Sequence, residues 1–198
     1  MNTQERCFSA NPTRVANVAI SFAQSLKKQS IIPVYKHYPG IGSGTIDTHT
    51  GAADITATHT ENDYVPFQMV CNKDPYAVIM ISHVQMTTVD TLPASLSKNH
   101  INTLRALGCA HALTISDDMD MRAMSDTYTL TEILEKSINA GVDMLIFSNN
   151  IRAYDSDKYL KIKSTLKELI DSGKISKEQI ESSYTKIMRY KKEFGIIE

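Results

Sequence analysis

Asp47 and His49 stand two residues apart in a glycine-rich stretch, a spacing that lets both side chains of an extended segment point the same way. The carboxylate can then hold one imidazole nitrogen, fix the tautomer and tune the ring for proton transfer near neutral pH. Asp117 ends the apolar run from Ala112 to Ser116 and so enters any site partly desolvated. A carboxylate placed there serves as nucleophile, metal ligand or structural cap. Its neighbour Asp118 faces the opposite way in an extended segment, so only one of the two reaches a given site. Lys36 and His37 supply donors suited to the hydroxyls of a sugar or to a phosphate. A metal site joining His49 with His59 lacks convergent ligand spacing. The GIGSGT run from Gly40 to Thr45 is not the GxxxxGK[ST] of a phosphate-binding loop.

These residues need elements to position them. Four short apolar runs, Ile31 to Tyr35, Ala77 to Ser82, Ala112 to Ser116 and Val142 to Ser148, read as strands buried on both faces, the signature of a parallel sheet. Helical patterns lie around them. Pro12 to Lys28 follows Asn11 as N-cap, with proline at the first helical position. Ser97 to Leu107, Thr129 to Ala140 and Asp157 to Ser172 each stop at a glycine, and Ser176 to Phe194 opens on a Ser-x-x-Gln capping pattern. Alternation of this kind predicts an α/β chain with right-handed crossovers, either a small open sheet or part of a (β/α) barrel. The segment 39–73 has no clear period and reads as a long loop at the carboxyl-terminal face, where barrel active sites sit. Ser82 and His83, Asp117 and Asp118, and Ser148 to Asn150 close the other three strands, so all four strands bring polar groups to one rim.

Composition removes several function classes. The chain has 198 residues, with 21 basic and 22 acidic side chains, so it offers no basic stripe for nucleic acid and no polybasic patch for a membrane surface. Its apolar runs are far shorter than the roughly 20 residues that span a bilayer. The amino-terminal residues lack the basic and apolar regions of a signal peptide, which predicts a cytoplasmic protein. Cys7, Cys71 and Cys109 are odd in number and widely spaced, and are read as three inert thiols rather than a disulfide framework. The methionines around the strands read as core filler, and the basic run near the carboxyl terminus as the solvated face of an amphipathic helix.

Taken in order, several segments resemble one family. KHYPGIGSGTIDTH, from Lys36 to His49, is similar to the KHFPGHG...DSH signature of glycoside hydrolase family 3 β-N-acetylhexosaminidases. RCFSANP from Arg6, DYVPF from Asp63, SHV from Ser82, LPASLS from Leu92, SDDMDM from Ser116 and AGVDM from Ala140 follow the family's order. The resemblance implies a (β/α)8 barrel and removal of terminal β-linked N-acetylglucosamine, as in peptidoglycan recycling. It makes Asp117 the nucleophile of a retaining double displacement and His49, held by Asp47, the general acid and base. Arg6, Lys36 and His37 match positions that bind the terminal sugar. No cofactor or metal is implied, and the partner is an N-acetylglucosamine-containing saccharide or muropeptide.

The chain also departs from the signature. Ile41 replaces the usual histidine, and Ser43 an Asp or Asn. The family's first strands and its DQEGG-x-V-x-R motif are missing. The whole chain, residues 1–198, therefore reads as one partial domain, the carboxyl-terminal half of a barrel with about four strands. Such a half calls for either a homo-oligomer or a complementary amino-terminal half-barrel. Two other readings stand beside a working glycosidase: an inactive remnant or subunit needing its other half, and an unrelated α/β metal-dependent hydrolase or binding module.

Overall fold

A computed structural model describes residues 7–42 and 53–198. Four parallel strands, β1 (Val34–Tyr38), β2 (Val78–Ile81), β3 (Leu113–Asp118) and β4 (Met144–Ile146), lie side by side in chain order. Seven helices accompany them among the described residues: α1 (Pro12–Lys27), α2 (Glu61–Lys73), α3 (Lys98–Ala106), α4 (Arg122–Ser125), α5 (Leu130–Ala140), α6 (Lys158–Asp171) and α7 (Lys177–Glu193). Among the described residues no helix is long and apolar enough to cross a membrane.

Successive strand residues point to opposite faces, and both faces are covered. On the outer face, Tyr38, Ile79 and Ile81 pack against Tyr64, Phe67 and Val70 of α2 and Ile101 and Leu104 of α3 in the main core. On the inner face, Val78 and Leu113, the first residues of β2 and β3, pack with Ile115 and Met144 against Ile187 and Tyr190 of α7. That helix therefore closes the amino-terminal end of the inner face. Asp143 holds it there. Its buried carboxylate accepts from the backbone N–H of Thr114 at 2.9 Å, the Ser183 hydroxyl at 3.0 Å and the Lys186 ammonium at 2.8 Å. A buried charge with this many donors is satisfied rather than costly.

Three expectations need correction. The first strand begins at Val34 rather than Ile31, because Pro33 has no N–H to give a ladder, so Lys36 and His37 lie inside β1 and not beyond it. The 39–73 segment is not loop throughout, since residues 61–73 form α2. Pro66 lies inside this helix, whose Tyr64, Phe67, Val70 and Cys71 make one buried face, and Asp63 Oδ2 accepts from the Thr60 N–H at 2.8 Å to cap the first turn. Finally, Cys71 and Cys109 form a disulfide with a Cα–Cα distance of 5.1 Å. α2 runs beside the connection from α3 to β3 and so brings together two cysteines 38 residues apart. Cys7 is the remaining thiol and is exposed.

The core also contains an acid-sensitive group. His100, on α3, is fully buried, and neither ring nitrogen has a hydrogen-bond partner among the described residues. Burial drives its pKa down to about 4; the nearby Asp90 carboxylate pulls it back up, and His59 pushes it further down. Buried His83 is shifted down as well, chiefly by burial. In the unfolded chain a histidine takes its proton near pH 6.5, so below that pH the unfolded state binds protons that the fold refuses. Stability should be intact above pH 6.5 and fall between pH 6.5 and 4, with His100 contributing about 3 kcal/mol of the loss. Urea titrations at pH 7 and 4.5 measure this. The pH slope should shrink by close to one proton in His100→Leu, and an unchanged slope would remove His100 as the cause.

Candidate active site

The carboxyl-terminal ends of the strands carry the polar groups. β3 delivers Asp117 with its side chain about one-fifth exposed, and β1 delivers His37, whose Nε2 lies 3.8 Å from Asp117 Oδ2. Asp117 Oδ1 accepts from the Asp118 backbone N–H at 2.9 Å. One carboxylate oxygen is thus fixed by the chain and the other is turned toward the β1 side of the rim. Lys36, next to His37 on β1, is exposed. The peptide bond that joins the pair, Lys36–His37, and the Tyr38–Pro39 bond that follows are both cis.

Asp118 faces the other way, as expected of consecutive residues in a strand. It accepts from the Ser148 N–H at 3.0 Å, from the Ser148 hydroxyl and from the Asp120 N–H at 3.0 Å. It therefore ties the end of β3 to the loop after β4 and is unavailable to a ligand. Asp120 extends the tie, accepting from the Asn149 N–H at 2.8 Å and from the Lys158 ammonium. Asn149 has a φ of 55°, a left-handed conformation that asparagine tolerates better than most residues.

His83 supports the same strand end from beneath. Its Nε2 is 2.9 Å from the Asp118 carbonyl oxygen and its Nδ1 is 2.7 Å from the Ser95 hydroxyl. A carbonyl only accepts, so Nε2 carries the proton. With the imidazole kept neutral by burial, Nδ1 must accept from Ser95. His83 and Ser82 are therefore structural, Ser82 donating its hydroxyl to the Tyr38 carbonyl at 2.9 Å. Of the four polar strand ends, β1 and β3 face the open rim and β2 is used internally.

On the far side of β1 the chain turns at Gly40, whose φ is +119° and where a Cβ would meet Asp63 Cβ at 2.8 Å. Glycine alone fits this contact. It brings the start of the following loop down onto the first turn of α2. Among the candidate residues, then, the structure brings His37 and Asp117 together and places Lys36 beside them. Arg6, Asp47 and His49 lie outside the described residues. Sequence reasoning missed the buttress of Asp120, Asn149 and Lys158, and no local spacing announces it, because its members come from three separate segments. Among the described residues no three His, Cys, Asp or Glu side chains converge as metal ligands.

The model of the glycosyl hydrolase family 3 N-terminal domain matches residues 2–190. The chain belongs to glycosyl hydrolase family 3. Its curated family 3 relatives include β-hexosaminidase A of Pseudoalteromonas piscicida, 26% identical over 94% of this chain and 34% of that protein. Another is β-hexosaminidase LpqI of Mycobacterium tuberculosis, 31% identical over 72% of this chain and 39% of that protein. Among solved structures, CbsA from Thermotoga neapolitana superposes with a TM-score of 0.86 at 30% identity, covering 96% of this chain and 43% of CbsA. The β-N-acetylglucosaminidase of Thermotoga maritima gives 0.80 at 28%, covering 91% of this chain and 39% of its own. The chain thus spans about a third to a half of the length of its relatives. Its four-stranded sheet is a partial version of their TIM barrel.

Proposed function

We propose that this family 3 chain contributes the catalytic strand ends of a retaining β-N-acetylhexosaminidase. The observation that carries the reading is Asp117, at the carboxyl end of β3, tethered through Oδ1 and with Oδ2 turned to the rim beside His37. The family relatives named above, two β-hexosaminidases and a β-N-acetylglucosaminidase, support the sugar class.

In this reading Asp117 attacks the anomeric carbon while His49, oriented by Asp47, gives its proton to the departing glycosidic oxygen. The result is a glycosyl–Asp117 ester. Water then attacks the same carbon, His49 takes its proton, and the Asp117 carboxylate leaves, so two inversions give net retention. Lys36, His37 and Arg6 bind the hydroxyls of the terminal sugar. A muropeptide released from peptidoglycan is a donor of the required chemistry.

A second reading, a subunit competent only with further barrel strands, is favoured by the open edges of β1 and β4. One experiment addresses both. Hydrolysis of 4-nitrophenyl N-acetyl-β-glucosaminide should be followed with the chain alone and with the missing strands supplied, with the first-formed sugar read by proton NMR. The β-anomer is expected first. A first-formed α-anomer would overturn the double displacement, and activity confined to the supplemented sample would establish the subunit reading.

A further inference from the structure

The Cys71–Cys109 link is built into the frame from both sides. α3 is followed by Gly108, whose φ is +91° and where a Cβ would stand 3.4 Å from Asn72 Oδ1. The chain leaving α3 thus passes against the residue that follows Cys71. The Arg105 guanidinium fixes that turn, donating to the Cys109 carbonyl at 2.9 Å and to the Ala112 carbonyl at 2.6 Å. On the other side, Lys27 of α1 pairs at 2.5 Å with Asp74, the residue after α2. Glycine, guanidinium and ion pair together hold the two backbones at a Cα separation of 5.1 Å, inside the roughly 4.4–6.8 Å that a disulfide spans. Cys7 stands apart from this pair, exposed on the lip of a groove of about 450 Å³ between α1 and β1.

Burial decides what kind of disulfide this is. A catalytic or sensing pair is accessible, lies in an electropositive setting and opens and closes in the folded protein. Cys71 and Cys109 are instead 2% and 0% exposed and belong to the main apolar core. Once α2 has packed, neither an oxidant nor a reductant reaches their sulfurs, and apolar surroundings keep a thiol protonated and unreactive. The bond therefore forms before the core closes, in a chain still open enough to meet an oxidant. A reducing cytosol keeps thiols reduced at that stage, and α2 would then pack over two free thiols.

We infer that this chain matures in an oxidising compartment outside the cytosol, where a disulfide-carrying oxidant closes Cys71–Cys109 during folding. One thiolate of the pair attacks a sulfur of the oxidant's disulfide and expels the other, giving a mixed disulfide. The second thiolate attacks the protein sulfur of that intermediate and expels the oxidant's remaining sulfur. Two electrons pass from the pair to the oxidant, which leaves as a dithiol. The two protons shed by the cysteines balance those that the oxidant's thiolates take up. This reading runs against the cytoplasmic expectation drawn from the amino-terminal residues, and it rests on sulfur chemistry and burial, not on where the chain starts.

The test is thiol trapping in the cells that make the chain. Cells are quenched in acid and separated into cytosolic and periplasmic or secreted fractions. The protein is denatured and alkylated with an iodoacetyl polyethylene glycol, and adducts are counted by gel shift with an antibody to the chain. One adduct, at Cys7, is expected in the periplasmic or secreted fraction, and three after prior reduction, one for each cysteine. Cys7→Ala should give none without reduction, and because Cys7 is exposed the substitution leaves the core as it is. Three adducts without reduction, any adduct on unreduced Cys7→Ala, or a chain held in the cytosolic fraction would each overturn the inference. The readout involves no hydrolysis, so its outcome is separate from that of the hexosaminidase reading.

Discussion

Asp117→Asn should lower hydrolysis of an N-acetyl-β-glucosaminide by about 10⁴-fold, the scale on which removal of a reacting side chain is felt, and should leave folding intact. The two halves of this expectation come from the two oxygens. Asparagine keeps an acceptor at Oδ1, so the bond from the Asp118 N–H at 2.9 Å survives, and it keeps the volume. What it loses is the negative charge and the nucleophilic oxygen facing His37. Asp118→Asn is the contrasting variant: it weakens three bonds that hold the β4 loop, so it should lower the melting temperature and reduce turnover far less. Turnover and thermal melts of both variants, measured on whichever form of the wild type is active, check this. If Asp117→Asn retains wild-type turnover, Asp117 is not the nucleophile.

The second large effect concerns stability. Breaking the Cys71–Cys109 link by paired substitution to serine should cost about 4 kcal/mol, from the loop entropy that a 38-residue closure removes from the unfolded chain. Both cysteines are buried, at 2% and 0% exposure, and the main core surrounds them, so the loss should appear as global unfolding at lower urea and not as local fraying. Denaturant curves of the wild type with and without reductant, beside the double serine variant, give the value. A reduced protein as stable as the oxidised one would show that the link holds nothing that packing does not already hold.

Much of the scaffold could be read from residue patterns. The N-cap at Asn11 with Pro12, the capping pattern at Ser176 and the terminal glycines at 108, 141 and 173 placed five helices within a residue or so of where they lie. Caps and left-handed glycines act locally, so a linear sequence displays them. α2 escaped because Pro66 sits among its apolar residues and the preceding polar stretch blurs its start. The disulfide escaped for the same reason, since pairing Cys71 with Cys109 depends on where an unrecognised helix runs. Within the candidate site, the opposed directions of Asp117 and Asp118 followed from the strand period. The approach of His37 to Asp117 did not, being a product of β1 and β3 lying two places apart in one sheet. Assigning Asp117 a role came from motif resemblance, and its tether is visible only in three dimensions.

Cys7 has a practical consequence. With the other two cysteines joined to each other, it is the one thiol left to react, it is exposed, and it lies on the lip of the groove between α1 and β1. A single maleimide dye would therefore attach at one known address, a few residues from the rim. Its brightness and anisotropy would follow, in real time and without a substrate, anything that settles into that cleft.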